Sequence, residues 1–419
     1  MSPQMSRHAD YMARWAAIGL GFSIPLTVAL NNVLLALTLA GWLAGGGFRE
    51  KFLAFRHPAA IAALTLFALI ALGTLYGEAG AASAGLHLRK YADLLLIPVF
   101  LFLFRDAAVR RQAIHALAIS LALVLALSYL IKLGLPSGIP SIRGNADYPM
   151  VFKEHLTHNI LMAFAVFLFA WLALSAAGLR ARLAWALLAV LAFVNVTVMV
   201  HGATGYLILA GLLLLLGYRR YGWRGLGAAV LGTTLLAVAL TAVPNPFQQR
   251  VNKIAKELQE WRADEPAHTS TGWRLEFYGN VLAIIAEHAV TGVGTGGFHS
   301  AYAEKVKGTG RLATQNPHNE FLLITAQLGF AGLAALWWLF WRQWRLAARL
   351  DTPLESELAR GLVLTMVIGC MLNSLLLDHT EGLLYAWLTG VLYGGLKSGR
   401  ALETARGEAR VSLFQLPHK

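Results

Sequence analysis

Apolar runs close to the length of a bilayer crossing recur along the whole chain, and they constrain the fold more than any motif does. A helix needs about 20 consecutive apolar residues to span the hydrocarbon core. Such runs are expected near residues 13–29, 31–46, 58–76, 91–105, 112–133, 158–177, 182–199, 203–218, 224–243, 319–341, 360–377 and 381–397. In hydrocarbon each backbone N–H and C=O needs an internal partner, which leaves helices or closed barrels. The period-two alternation of barrel strands is missing. The expected fold is therefore an all-α polytopic membrane protein with about 12 transmembrane helices. The first two runs are nearly continuous, and Asn31-Asn32 is taken as the turn between them. Composition agrees: 57% of residues are hydrophobic and 14% are charged, against about a quarter charged in soluble domains.

Orientation follows from lysine and arginine in the short loops. With a cytoplasmic N-terminus, the cytoplasmic loops are "FREKFLAFRHP", "RDAAVRR", "GLRAR", "YRRYGWR" and "RQWRLAARL", all basic. An even number of spans returns the C-terminus to the cytoplasm. The net charge of +13 is explained by this bias and by contact with membrane lipids, and no nucleic acid partner is expected. The lone Cys370 excludes a disulfide framework. The first apolar run continues into a second with no A-x-A-like site, so no cleavable signal peptide is expected.

Three regions follow: 1–243 with transmembrane helices 1–9, an outer loop domain over 244–318, and 319–419 with helices 10–12 and a cytoplasmic tail. In the loop domain, Phe247, Val251, Ile254, Leu258 and Trp261 line one face of an amphipathic helix. A second helix runs through "TGWRLEFYGNVLAIIAEHAV", with Thr271 as its N-cap. Gly292, Gly294, Gly296 and Gly297 then form a flexible turn. "GVGTGGF" looks like a phosphate-cradling loop but lacks the Lys-Ser/Thr and strand–helix setting of a P-loop.

The same topology gathers several polar groups on the outer face. "NPHNEFLLITAQLGF" starts a membrane helix with Asn316-Pro317-His318-Asn319. Asn316 as N-cap with Pro317 at the first helical position is one reading. The other is that His318, with an imidazole that titrates near pH 6.5, acts as a general base. Arg89, Lys90, Arg143 and Arg274 lie on this face against the positive-inside bias. Each is either a snorkelling or interfacial charge or an anion contact, and an arginine fork suits a phosphate. Asp378, in "DHTE", is either part of a polar turn or an acid that orients His318 or a nearby arginine. No Asp-x-Asp and no His/Cys spacing suggests a metal, and no cofactor is expected.

These stretches resemble the O-antigen ligase and polymerase superfamily. "NPHNEFLLITAQLGFAGL" is similar to its His-Asn signature at a late helix. "TGWRLEFYGNVLAIIAEHAVTGVGTGGFHSAY", "LRKYADLLLIP" and "NSLLLDHTEG" are similar to further segments of the ligase branch. The likeness covers residues from about 85 to 397. It implies a GT-C-like glycosyltransferase of the bacterial inner membrane with a periplasmic active site. The donor would be an O-antigen glycan on undecaprenyl diphosphate and the acceptor a sugar hydroxyl of lipid A–core. The reaction would be metal-independent and inverting. His318 would be the base, Arg274 and Arg89 the principal diphosphate contacts, Lys90 and Arg143 secondary ones, and Asn316, Asn319 and Asp378 supports. The family pattern also implies an arginine at the outer start of a middle span. In "VHGATGYLIL" that place holds Ala203, and Arg143 is a candidate to compensate. An O-antigen polymerase, a protein O-oligosaccharyltransferase and a lipid-linked glycan flippase are the alternatives.

Overall fold

The computed structural model describes residues 3–77, 79–134 and 142–396. The expected cytoplasmic tail, the end of the last apolar run and part of the loop before residue 142 lie outside the described residues. The helices are α1 (Pro3–Ser23), α2 (Val28–Ala44), α3 (Phe48–Phe55), α4 (Pro58–Gly73), α5 (Ala81–Lys90), α6 (Leu96–Leu103), α7 (Ala107–Lys132), α8 (His155–Ser175), α9 (Leu179–Val194), α10 (Ala203–Thr241), α11 (Pro246–Glu260), α12 (Ser270–Glu287), α13 (Phe298–Val306), α14 (Glu320–Ala347), α15 (Pro353–Leu372) and α16 (His379–Tyr393). No strand occurs among the described residues. Five helices are long and apolar enough to cross a membrane, or six if the bent pair α3 and α4 counts as one span. The protein is a helical membrane protein.

Several helix starts share one local device, a polar cap followed by proline. His57 accepts from Ala59 N with Pro58 behind it, Asn245 from Gln248 N with Pro246, and Thr352 from Glu355 N with Pro353. The cap satisfies an orphan N–H, and proline costs nothing where its missing N–H has no partner.

Two helices turn back on themselves, each at a glycine in the left-handed region. In α10 the turn is Gly222, with φ 62°. A Cβ on Gly225 would lie 2.0 Å from the Gly217 carbonyl oxygen, whereas eight residues of straight helix cover about 12 Å. The arms 203–221 and 223–241 therefore run antiparallel, as the two apolar runs expected there require. In α14 the turn is Gly329, also at φ 62°. Phe321 stacks on Trp337 with centroids 4.9 Å apart, although sixteen residues of straight helix would separate them by about 24 Å. The span expected over 319–341 is therefore bent: a short arm, 320–328, hooks onto a longer one, 330–347. Hydropathy cannot see this bend, because Gly329 sits inside an unbroken apolar run.

The first turn also differs from expectation. It lies over residues 24–27, where Pro25 ends α1 and Thr27 precedes α2. Asn31 is buried inside α2, where its Oδ1 accepts from Ser23 Oγ at 2.6 Å. A buried amide was mistaken for a turn residue because both uses look polar in a sequence.

Candidate active site

The polar tetrapeptide before α14 is held from several sides. His318 has φ 56°, the only positive φ at a non-glycine among the described residues. Such a backbone costs of order 1–3 kcal/mol and persists only where its surroundings enforce it. Here they do. His318 N donates to Asn316 Oδ1 at 2.8 Å, and Tyr278 Oη of α12 donates to the His318 carbonyl at 3.3 Å. Ser374 Oγ donates to the same Asn316 Oδ1 at 2.8 Å. Asn319, not Asn316, is the N-cap, accepting from Leu322 N at 3.1 Å, while its Nδ2 donates to Met371 O at 3.0 Å. The expected cap at Asn316 is therefore displaced by three residues. Its side chain folds the loop back onto His318 instead.

The next residue ties this loop to the rest of the bundle. Glu320 is fully buried, accepts from Tyr91 Oη at 2.5 Å and from Leu376 N at 3.1 Å, and its own N donates to Asn373 O at 3.2 Å. Asn373 Nδ2 in turn donates to Thr204 Oγ1 at 2.9 Å. Thr204 follows Ala203, so the start of α10 is pinned beside the His318 loop. Position 203 is correctly sited for a side chain that serves it.

Arg274, on α12 one helical turn before Tyr278, is the charge that acts on His318. Burial, and secondly the Arg274 charge, hold the His318 imidazole below its ordinary value, although the ring stays solvent-accessible. The imidazole is neutral at pH 7 and its proton-accepting lone pair is free. Arg274 itself is pushed down by burial, with Arg250 opposing it as well. Neither Arg274 nor Arg250 forms an ion pair among the described residues. Arg250 lies on α11, and its charge also reaches Tyr148, His155 and Tyr206. Tyr206 sits one turn inside α10 from Ala203 and meets Phe247 edge-on at 5.0 Å. Arg250 thus lies near the outer start of α10. The sequence reading missed it by scoring α11 only for its apolar face. The available signal was a further arginine on the side where positive charge is disfavoured.

A second basic group lies across the α15–α16 loop. A recess of ≈ 600 Å³ is lined by Arg143, Lys153, Glu154, Asp378, His379 and Glu381, among others. Arg143 is paired with Glu154 at 2.9 Å, both side chains being exposed. Lys153 donates to Thr380 Oγ1 at 3.2 Å, and burial lowers its pKa. Burial raises Asp378, with the Lys90 charge opposing. No hydrogen bond between Asp378 and His318 occurs among the described residues. Arg89 is exposed and touches neither group.

Two expectations for the loop region fail. Thr269 caps α12, accepting from Gly272 N at 3.1 Å. Thr271 instead lies inside the helix, where its N donates to buried Glu257 of α11 at 3.1 Å. The glycine turn is also neither loose nor a phosphate cradle. Val293 N, Gly294 N and Thr295 N donate at 2.9 Å to Ala326 O, Gln327 O and Gly73 O, and Gly296 N donates to Gln327 Oε1 at 2.5 Å. Its amides are already spent on α4 and α14. Gly294 is needed for close approach, since a Cβ there would lie 2.2 Å from Gly77 Cα.

Residues 187–337 match the family model described as O-antigen ligase, Wzy_C. Over that stretch, about a third of the chain, the sequence is similar to the O-antigen ligase family. No curated protein matches the chain at significance. The O-antigen ligase match runs from within α9 to Trp337 on the long arm of α14, and so contains Ala203, Arg250, Arg274 and His318. Arg89, Lys90, Arg143 and Asp378 fall outside the ligase match.

Proposed function

We propose that the protein is an O-antigen ligase of the bacterial inner membrane. It transfers a glycan from undecaprenyl diphosphate to a sugar hydroxyl of lipid A–core, by a metal-independent inverting displacement at the periplasmic face. The observation that carries this reading is one juxtaposition: an accessible histidine on a clamped backbone near Arg274, with Arg250 near Arg274 in turn and neither arginine held by a carboxylate.

The chemistry follows from those groups. The diphosphate leaves with growing negative charge, and fixed cations aimed at it lower the barrier without reorganisation. Arg274 and Arg250 fill that role, with forks suited to phosphate oxygens. The acceptor hydroxyl attacks the anomeric carbon from the face opposite the leaving group, and its proton passes to His318. The C–O bond to the diphosphate breaks as the new C–O bond forms, and the configuration inverts. Both lipids stay in the bilayer, so reactants meet already oriented. Arg143, Lys153 and Lys90 lie across the α15–α16 loop, where they suit the anionic groups of the acceptor.

The deciding experiment offers purified protein a carrier-linked glycan with lipid A–core, a second carrier-linked glycan or an acceptor protein, with and without chelator. Transfer to lipid A–core that survives chelation is expected. Transfer only to the carrier-linked glycan would make the protein a polymerase. Passage of labelled glycan across sealed vesicles without covalent change would replace the enzyme reading with a flippase.

A further inference from the structure

A second cavity, of ≈ 750 Å³, opens between α8, α9 and the two arms of α10, far along the hairpin from Tyr206. Its walls are almost wholly apolar and rich in small residues, including Ala186, Ala189, Ala229 and Gly232. Small residues in membrane helices normally let backbones close on one another. Here the two arms of α10 close on each other at the turn, where Gly217 meets Gly225, while α9 stays apart from them. A narrower apolar channel of ≈ 80 Å³ continues the cavity toward Tyr206 and Phe247, sharing Phe193, Leu213, Thr233 and Leu236 with it. An open apolar slot of this kind in a bilayer is filled by hydrocarbon chains.

The slot carries charge at one end only. Arg182 and Arg220 line its mouth. Neighbouring Arg219 is taken up by Glu357, which accepts at 2.7–2.9 Å from Nη2 and Nε. Arg182 and Arg220 have no carboxylate partner among the described residues. Arg182 donates to Ala176 O at 3.3 Å, and Arg220 lies 5.2 Å from the Tyr221 ring centroid. Two unneutralised guanidinium groups above an apolar slot complement an amphiphile with an anionic head.

We propose that this slot is a binding site for one anionic glycerophospholipid, its phosphate on Arg182 and Arg220 and its acyl chains between α9 and the arms of α10. The slot shares no lining residue with the His318 cluster. The lipid acts as a spacer that holds the hairpin off α9, and so sets the position of the α10 start at Thr204.

Native mass spectrometry of the full-length protein in detergent tests this, with phosphatidylglycerol and phosphatidylcholine of identical chains as probes. One phosphatidylglycerol should be retained, with phosphatidylcholine weaker by roughly tenfold. Arg182→Gln with Arg220→Gln should erase that preference. Gly232→Trp, whose side chain would enter open space in the slot, should lose the lipid. Gly227→Trp, on the same arm, equally unobstructed but outside the slot, should keep it. Circular dichroism and monodispersity check that each variant is folded. Equal retention of both lipids, or an unchanged preference in the double variant, would overturn the proposal. So would displacement of phosphatidylglycerol by undecaprenyl diphosphate in both the parent and the double variant, which would give the slot to the carrier chain. None of these measurements involves transfer, so their outcome is distinct from that of the ligase assay.

Discussion

Arg110, Arg219 and Arg360 at one end of the bundle are treated in the opposite way to Arg250 and Arg274 at the other. At one end, Arg110 has a 2%-exposed side chain and is gripped by Glu355 at 2.7 Å and Asp351 at 2.9 Å. Arg219 and Arg360 share Glu357 there. At the other end, Arg274 is half-buried and Arg250 stands near it, with no carboxylate on either. Burial of a charge is costly unless it is paired. The paired set therefore holds α7, α10 and α15 together, whereas the unpaired set is left for an anion that arrives from outside. Only the second arrangement has its positive potential available to a diphosphate.

The contrast can be broken most forcefully at His318. His318→Asn keeps a residue type that tolerates the left-handed backbone but removes the base. Transfer should fall by about 10²–10⁴-fold with an unchanged melting profile. Retained transfer would remove His318 from the mechanism. Next in size is the paired end. Arg110→Ala strands Glu355 and should cost about 3–5 kcal/mol of stability, seen as a lowered melting temperature. The surviving folded fraction should bind donor normally, and weakened donor binding would show that the two ends are coupled. Arg250→Ala should raise the KM for carrier-linked donor by roughly tenfold, with thermal stability intact. Adding Ala203→Arg to that variant should restore much of the loss. A double variant no better than the single would mean that Arg250 does not occupy the role of position 203.

The smallest effect lies in the pH profile. Because burial and Arg274 hold His318 below its ordinary value, its base form persists at pH 7. Transfer should be lost only as pH falls through that lowered pKa. Arg274→Gln removes one of the two causes, so the acid limb should move up in pH beside any loss of rate. An unmoved limb would argue that a different group titrates.

Much of this was legible in the sequence. Apolar runs located almost every helix, because the bilayer demands both length and composition. Basic residues on the disfavoured side pointed to Arg274, and the Asn-Pro-His-Asn segment to His318. What stayed hidden depends on contact. The hook at Gly329 leaves the hydropathy unbroken, and the engaged amides of the glycine turn become visible only beside Gln327 and Gly73. Arg250 acquires meaning only once α11 lies over the start of α10. Asn31 and Asn316 were misplaced because an amide that caps, one that turns a chain and one that bonds inside a bundle are alike until a partner is known.

On the proposed reading, the hook in α14 makes the count of residues matter to the reaction. The arm that carries His318 is nine residues long, 320–328, fixed at one end by the bend at Gly329 and at the other by the Glu320 clasp. One residue inserted in that arm would swing the histidine by about 100° and lift it about 1.5 Å, whereas four would nearly restore its direction yet move it about 6 Å. The arm therefore acts as a ruler with no spare marks. Its length admits less change than the identity of most side chains along it.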